Sequence, residues 1–406
     1  MGTAPSNFLT KLVWSLPWLT RYPMWRLEEL FRRMSETISH KHLIFVVANH
    51  FEPGWDGSGI AMDWDSQIAR VDKWTGRART LGDSFKDSDG APFRYTYFYP
   101  IEQYHKGLLD RLAEFQMEGF GEVEIHLHHG LDGPDTAQNL RYTLELYRDI
   151  LAEEHGLLSK APDSREPKYA FVHGNLALAN SAGGRYCGVD SEMQILADTG
   201  CYADFTLPSW PDRSQVGHIN AIYQCARPLN ERSPHTAGRD LRVGESVKLP
   251  VLFTGPLLFD WRRRIYGLPI PRVDGGALAS NYPPEIARLN NWLSANIGIK
   301  GRPEWVFIKL YCHAFLPFDE DILTGESMRR FLGMLLDTAA REGFGIHFVT
   351  AREAFNIALA AIEGKEGDPG YYRDYSLLPT TGGRKYPAAA ANRSADVMNA
   401  TRGLLI

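Results

Sequence analysis

The chain has 406 residues, of which 44% are hydrophobic and 23% charged, the composition of a globular protein with one large α/β domain or two domains. Its formal net charge of -5 argues against nucleic-acid binding, because neutralising phosphates requires a surplus of Lys and Arg. The four Cys show neither the density of a disulfide scaffold nor paired metal-ligand spacing, so a reducing, cytoplasmic location is expected.

The amino-terminal segment, residues 1–36, is predicted to be an amphipathic, aromatic extension. It combines Trp14, Trp18 and Trp25 with leucines and scattered Lys and Arg, the composition of a helix that lies at a membrane surface. The apolar stretches are too interrupted for a membrane span or a secretory signal. Two alternatives stay open: peripheral contact with the inner face of the membrane, or packing of the aromatics against the main domain.

Residues 37–362 alternate short strands and helices, which favours parallel βα units in one sheet or barrel. Within them, residues 215–275 are rich in Pro and Gly and contain one clear strand, so we predict an excursion at the rim of the barrel. A capping box, Thr350 with Glu353, predicts the start of a last helix. Residues 363–406 are Gly-, Pro- and Ala-rich and are predicted to be an irregular tail.

One stretch, residues 121–135 (GEVEIHLHHGLDGPD), organises the predicted site. It alternates apolar and polar residues as a strand does, which places His126 and His128 on one face, and it breaks into a loop at Gly130. Asp132 follows His128 by four residues. Imidazoles and a carboxylate at a strand end are the groups with which a barrel binds metal at its carboxyl-terminal rim.

Three further strands also end in polar side chains. His50 and Glu52 follow the first strand, His173 and Asn175 follow another, and His313 ends a late one. A catalytic zinc site needs about three N or O ligands and an open position, which these groups supply without Cys. The alternative is a polar, water-filled barrel mouth without metal.

Roles for these residues follow from their positions. We predict that His50, His128 and Asp132 hold a divalent metal, with zinc as the expected ion, and that Glu52 is a fourth ligand or the general base. His313 is predicted to be the general acid, because a late strand faces the first strand across a closed barrel. The residues predicted to orient the ligands or to bind substrate are Asn49, His126, His173 and Asn175.

At these motifs the chain resembles the polysaccharide deacetylases of the NodB-homology type, carbohydrate esterase family four, and among them the WalW-type proteins of lipopolysaccharide biosynthesis. The stretch EIHLHHGLD is similar to the second family motif through Glu124, Ile125 and His128, and KLYCHA is similar to the fifth through Leu310 and His313. The resemblance covers about residues 40–360. It implies a distorted (β/α)7 barrel, a divalent metal that is usually zinc, and removal of acetyl groups from sugars.

The sequence also departs from the family pattern. Asp132 stands where the family has a second His, and Asn49-His50-Phe51-Glu52 stands where it has two Asp. The third motif is replaced by FVHGNLALANS around His173. These departures concern the ligands and the base, so they bear on the reaction more than on the fold.

The expected function is therefore metal-dependent deacetylation of a glycan or lipid-linked saccharide, such as a precursor of a surface polysaccharide or lipopolysaccharide. One alternative is a glycoside hydrolase on the same barrel, because His50-x-Glu52 is similar to the His-x-Asp pair of zinc-dependent α-mannosidases; Glu52 with Asp132 or Asp204 would be its carboxylate pair. The other alternative is a non-catalytic, glycan-binding member of a biosynthetic complex.

Overall fold

The computed structural model describes residues 8–35, 40–55, 57 and 61–380. Its helices are α1 (Phe8–Leu19), α2 (Tyr22–Ser35), α3 (Trp64–Ser84), α4 (Lys106–Met117), α5 (Ala137–Glu153), α6 (Glu192–Asp198), α7 (Ile286–Ala295), α8 (Asp319–Thr324), α9 (Glu326–Glu342) and α10 (Ala351–Ile362). Its longer strands are β1 (Lys41–His50), β2 (Tyr95–Pro100), β3 (Gly121–Leu127), β5 (Pro167–His173), β6 (Cys201–Asp204), β7 (Ile222–Cys225), β15 (Trp305–His313) and β16 (Phe344–Phe348). The short strands are β4 (Ser159–Lys160), β8 (Gly238–Asp240), β9 (Val251–Phe253), β10 (Leu258–Asp260), β11 (Arg264–Ile265), β12 (Leu268–Pro269), β13 (Arg272–Asp274), β14 (Ala277–Leu278) and β17 (Leu378–Pro379).

The main sheet is curled and follows the order β14-β15-β1-β2-β3-β5-β6-β9-β7-β8. Its strands are parallel from β14 to β9, whereas β7 and β8 add an antiparallel edge. The mixed α/β class is thus confirmed, but the closed seven-stranded barrel is not. In the described part of the chain the sheet has two open edges, β14 and β8. Closing it into a barrel would need further parallel βα units after β9, but the antiparallel strands β7 and β8 lie there.

Strand β1 lies near the centre of the sheet and is apolar on both faces because both faces are buried. Leu43 and Phe45 join the core cluster that contains helices α3, α4, α5 and α9. Ile44 and Val46 join a second cluster with α10, which is buried along its whole length. The alternation of strand side chains therefore assigns each residue to the α10 face of the sheet or to the outer-helix face.

Helix α10 begins as the sequence predicts. Thr350 Oγ1 accepts a hydrogen bond from the Glu353 backbone N–H, and Glu353 Oε2 accepts one from the Thr350 backbone N–H at 3.0 Å. Helix α5 begins at an N-cap, Thr136, whose side chain accepts a hydrogen bond from the Asn139 backbone N–H. The carboxylate of the preceding residue, Asp135, accepts hydrogen bonds from Thr136 N and from the Asn139 side chain.

Two segments expected to be irregular are more ordered than their composition suggests. Within residues 215–275, β7, β8 and β9 extend the main sheet, so this part of the chain is not only a rim excursion. In the tail, β17 pairs with β4, and Arg373 is buried in ion pairs with Asp87 and Asp89. Long-range charge pairing fixes this segment, which local composition does not reveal; residues 381–406 lie outside the described residues.

The amino-terminal helices pack their aromatic side chains inward. Trp18 is fully buried against Tyr22 and Phe259, and Trp210 donates its indole N–H to Ser15 Oγ at 2.9 Å. The opposite faces of α1 and α2 expose apolar side chains, namely Leu9, Leu12, Val13, Leu16, Met24, Leu27, Leu30, Phe31 and Met34. Among the described residues, no helix is long and apolar enough to cross a bilayer. Peripheral membrane contact stays a prediction.

Candidate metal centre and cavity

The carboxyl ends of β1 and β3 bring three ligand groups together on the α10 face of the sheet. His50, Glu52 and His126 each offer one ligand atom, and these atoms lie within 4.8 Å of one another. All three residues are buried. We call this set the open cluster, because His50 also lines a cavity.

His126 has the proton arrangement that a metal ligand requires. Its Nδ1 lies 3.0 Å from the backbone carbonyl oxygen of Val172, which can only accept, so Nδ1 carries the proton. Nε2 then carries a lone pair, and it is buried without a hydrogen-bond partner. The same backbone contact fixes the orientation of the ring, as commonly found for metal-binding His.

Glu52 connects this set to His128. Its Oε1 lies 3.8 Å from His126 Nε2 and 3.2 Å from His128 Nε2. Burial opposes ionisation of Glu52, but the two neighbouring imidazoles outweigh it and hold the pKa of the carboxyl well below its usual range. Glu52 is therefore an anion at neutral pH.

His128 lies between two carboxylates, with Nδ1 2.6 Å from Glu102 Oε1 and Nε2 3.2 Å from Glu52 Oε1. Burial disfavours the charged ring, yet the bonds to Glu102 and Glu52 raise the pKa of His128 to about 9. Both ring nitrogens are thus occupied as donors. The ring nitrogens of His128 are also not among the ligand atoms that lie within 4.8 Å of one another at His50, so the structure places His126 in the ligand group where the sequence suggested His128.

His313 lies beside His50, since β1 and β15 pair these two residues in register and their ring centroids are 4.5 Å apart. Burial lowers the pKa of His313, and burial together with the neighbouring imidazoles holds the pKa of His50 well below its usual range. Both rings are neutral at pH 7, the state in which an imidazole binds metal or accepts a proton.

A cavity of about 200 Å³ opens at these two histidines. Its other lining residues include Trp210 and Tyr311, which offer aromatic surface, and Ser209 and Asp212, which offer polar groups. At roughly 30 Å³ per water molecule, this volume corresponds to about seven waters, comparable to one sugar residue. A concave site with a few polar groups and aromatic walls is typical of small-ligand binding.

The remaining predicted residues are distributed differently. Asp132 is exposed on the loop after β3 and belongs to none of the ligand groups found in the described chain, so the structure does not bring it to His50. The Gly-containing loop carries it away from the strand end. Asn49 and Asn175 are buried, and neither side-chain amide has a hydrogen-bond partner.

His173 joins a second group with His129, Cys187 and Glu192, all buried and with ligand atoms within 4.8 Å of one another. Strand alternation explains the separation: Tyr169 and Phe171 of β5 pack in the outer-helix core, and His173 shares their face.

A third group is His42, His347 and Asp368 near the start of β1. Three of its four ring nitrogens already have partners, because His42 Nδ1 lies 2.9 Å from His347 Nε2 and His347 Nδ1 lies 2.8 Å from Asp89.

Sequence reasoning missed two charged groups near the site, of which Glu102 is partly exposed and Lys309 is buried. Glu102 follows β2 at the same edge as the other strand ends, and that position was the available signal. Lys309 lies on the α10 face of β15 and donates to the Phe205 and Leu207 carbonyls at 2.6 and 2.9 Å. Burial lowers the pKa of Lys309 to about 7. A Lys within an apolar strand was its only sequence signal.

No protein-family model, curated protein or solved structure matches this chain. The resemblance to polysaccharide deacetylases therefore stays a prediction, and function has to be argued from the geometry of the site.

Proposed function

We propose that the protein is a metal-dependent hydrolase that removes acetyl groups from a sugar of a surface polysaccharide or lipopolysaccharide precursor. The observation that carries the proposal is the buried, unpartnered Nε2 of His126, directed at Glu52 beside a cavity. An unpaired buried acceptor is costly, at roughly 1–3 kcal/mol, and a cation between these groups would remove that cost.

The ligands in this proposal are His50, Glu52 and His126. Two imidazoles and one carboxylate, with no Cys, form the donor set of many catalytic zinc sites and fit a divalent cation. When bound, such a cation supplies Lewis-acid polarisation of a carbonyl and acidifies an attacking water. Asp132, which the sequence suggested as a ligand, has no part in this version of the site.

The proton transfers are assigned to His313. Its ring is neutral at pH 7 and lines the cavity next to His50, so it can accept a proton from the attacking water. The resulting imidazolium then donates that proton to the departing amine or alkoxide. Glu52, which the sequence left open as base or ligand, serves as a ligand because it lies within reach of both His50 and His126.

Sugar binding is supported by the cavity walls. Trp210 and Tyr311 can stack on the apolar face of a sugar ring, while Ser209 and Asp212 can pair with hydroxyls. The glycosidase alternative has less support, because its second carboxylate is misplaced: Asp132 is exposed, and the oxygens of Asp204 are bound to Thr206. Neither of these residues lines the cavity.

The test combines metal analysis with product detection. We expect His126→Asn to lose one equivalent of divalent metal relative to wild type and to lose acetate release from acetylated oligosaccharides. His155→Asn is the matched control, because His155 is also buried but contacts Asp110 and Tyr104. It should keep both properties.

Three outcomes would contradict the proposal. An unchanged metal content in His126→Asn would remove the ligand assignment. Release of reducing ends without acetate would favour the glycosidase. Glycan binding by metal-free wild-type protein, with no product of either kind, would favour the non-catalytic alternative.

A further inference from the structure

We propose that the second group, His129, His173, Cys187 and Glu192, is a separate, closed zinc site that holds the loop before α6 in place. We call this set the closed cluster. It does not depend on the hydrolase proposal, because it shares no ligand with the open cluster.

The geometry of the closed cluster suits a four-coordinate ion. Glu192 Oε1 lies 3.1 Å from His129 Nε2 and 3.7 Å from His173 Nε2, and Glu192 Oε2 lies 3.4 Å from Cys187 Sγ. Two imidazoles, one thiolate and one carboxylate complete a tetrahedral shell from the protein alone. All four residues are buried, and none lines the cavity at His50. Such a site is structural rather than catalytic.

His129 is held as a ligand would be. Its Nδ1 lies 2.9 Å from Asp135 Oδ2, a carboxylate contact that keeps a proton on Nδ1. Its Nε2 lies 3.1 Å from Glu192 Oε1, and a zinc ion between these two ligands would replace the proton that bridges them. A carboxylate that orients the far nitrogen of a His is a recurrent partner of metal-bound imidazole.

His173 provides a second, independent indication. It is fully buried, and its Nε2 faces the cluster without a hydrogen-bond partner. Ligation through Nε2 would place the proton on Nδ1 and give up the long, 3.3 Å contact from the Asn175 backbone N–H. One weak contact would thus be exchanged for a metal bond.

The ligands come from three chain segments. His129 follows β3 and His173 ends the neighbouring strand β5, whereas Cys187 and Glu192 bracket the end of a long loop without an α-helix or strand, residues 174–191. The loop packs closely on the first segment, since a Cβ on Gly130 would lie 2.4 Å from the Cys187 carbonyl oxygen. A buried ion would crosslink these segments, as structural zinc does in small domains.

This crosslink also bears on the cavity. Gly174 and Leu176, at the start of the same loop, line the cavity at His50. An ion that fixes this loop at Cys187 and Glu192 would therefore also hold one wall of the cavity in position, although none of its ligands lines the cavity.

Cobalt substitution tests the thiolate directly. Metal-depleted wild-type protein reconstituted with Co(II) should show a near-ultraviolet thiolate-to-cobalt charge-transfer band, because only the closed cluster contains Cys. Cys187→Ser should bind one equivalent of zinc less than the wild type and lose the band. Cys225→Ser is the matched control, a buried Cys outside the cluster, and it should retain both.

The two proposals fail separately. Absence of the thiolate band in the wild type, or an unchanged zinc content in Cys187→Ser, would overturn the closed site whatever happens to His126→Asn. If Cys187→Ser does not fold, the cobalt band of the wild type still decides. A metal content that falls in Cys187→Ser but not in His126→Asn would leave the closed site and remove the proposed hydrolase site.

Discussion

The open and closed clusters each take one His from the carboxyl end of β3 or the loop directly after it, yet they have opposite character. His126 belongs to the open cluster and His129 to the closed one. The open cluster has three ligands, no Cys and a neighbouring cavity, whereas the closed cluster has four ligands, a Cys and no lining residue in that cavity. These are the differences that separate catalytic from structural zinc sites.

The backbone produces this difference through side-chain alternation. Ile125 and Leu127 of β3 pack in the outer-helix core, so His126 faces the α10 side and the mouth of the curled sheet. His129 lies beyond the strand and meets His173, which ends β5 on the outer-helix side. Two sites of different accessibility therefore arise on opposite faces of the same sheet edge.

The largest expected effect concerns the open cluster alone. Replacing His313 with Ala removes the proposed proton carrier, so kcat for acetate release should fall by about 10²- to 10⁴-fold. Zinc content should stay at two equivalents, because His313 is a ligand of neither cluster. Tyr311→Phe, on the same strand and cavity, should keep kcat within about threefold; a similar loss in both variants would argue against a chemical role for His313.

Much of the open cluster could be predicted from the sequence. Apolar runs that end in His50, His128 and His313 predicted that these residues lie at the carboxyl-terminal edge of the sheet. The two-residue spacing of His50 and Glu52 predicted that their side chains lie on the same face. Pairing of β1 with β15 brings His50 and His313 together. The two strands are neighbours in the sheet, however, and do not face each other across a closed barrel as predicted. Local periodicity sufficed here because each residue lies at or directly after a regular strand.

The other features of the two clusters and of the fold depend on long-range contacts, which the hydrophobic periodicity of the sequence does not encode. His173 was assigned to the same site because it also follows a strand, but the position of Tyr169 and Phe171 in the outer core determines its face. Asp132 and Cys187 lie in loops whose paths depend on Gly conformations and long-range packing. Closure of the barrel likewise depended on strand pairing far apart in sequence.

The next effect concerns the charge of His128, which contacts Glu52 of the open cluster, and it is measured through pH. The pKa of His128 is raised to about 9, so its carboxylate partners stabilise the metal-free fold fully below pH 6.5, and this contribution is lost as pH rises through 9. Glu102→Gln removes one partner and should lower both the pKa of His128 and the free energy of unfolding at pH 6, the latter by about 1–2 kcal/mol.

Urea unfolding of the metal-free proteins from pH 6 to 9.5 measures this effect. The deficit of the variant should shrink toward pH 9.5. Lys309, whose lowered pKa changes stability in the opposite direction, is common to both proteins and cancels in the difference. Glu114→Gln, at an exposed position of α4, is the control; a deficit independent of pH would contradict the assigned charge of His128.

A smaller effect is expected at the closed cluster alone. Asp135→Asn keeps an acceptor for the His129 Nδ1–H but removes its charge, so the zinc affinity of the closed cluster should fall by about tenfold, while that of the open cluster is unchanged. Competition with a chelator of known affinity measures both. Asp190→Asn, in the loop before α6 and bound to Asn180, should change neither; equal loss at both clusters would mean that Asp135 acts on the fold as a whole.

The smallest effect tests whether the cavity beside the open cluster binds sugar. Trp210→Ala removes an aromatic wall, and the loss of one stacking contact, about 0.5–1.5 kcal/mol, should raise KM by about 2- to 13-fold with kcat nearly unchanged. The Trp210 indole also donates to Ser15 Oγ, so Ser15→Ala separates the roles: it removes this hydrogen bond and leaves the ring. If Ser15→Ala raises KM as much as Trp210→Ala does, the amino-terminal helix shapes the cavity and the stacking contact is not the cause. If only Trp210→Ala raises KM, the aromatic face binds the sugar.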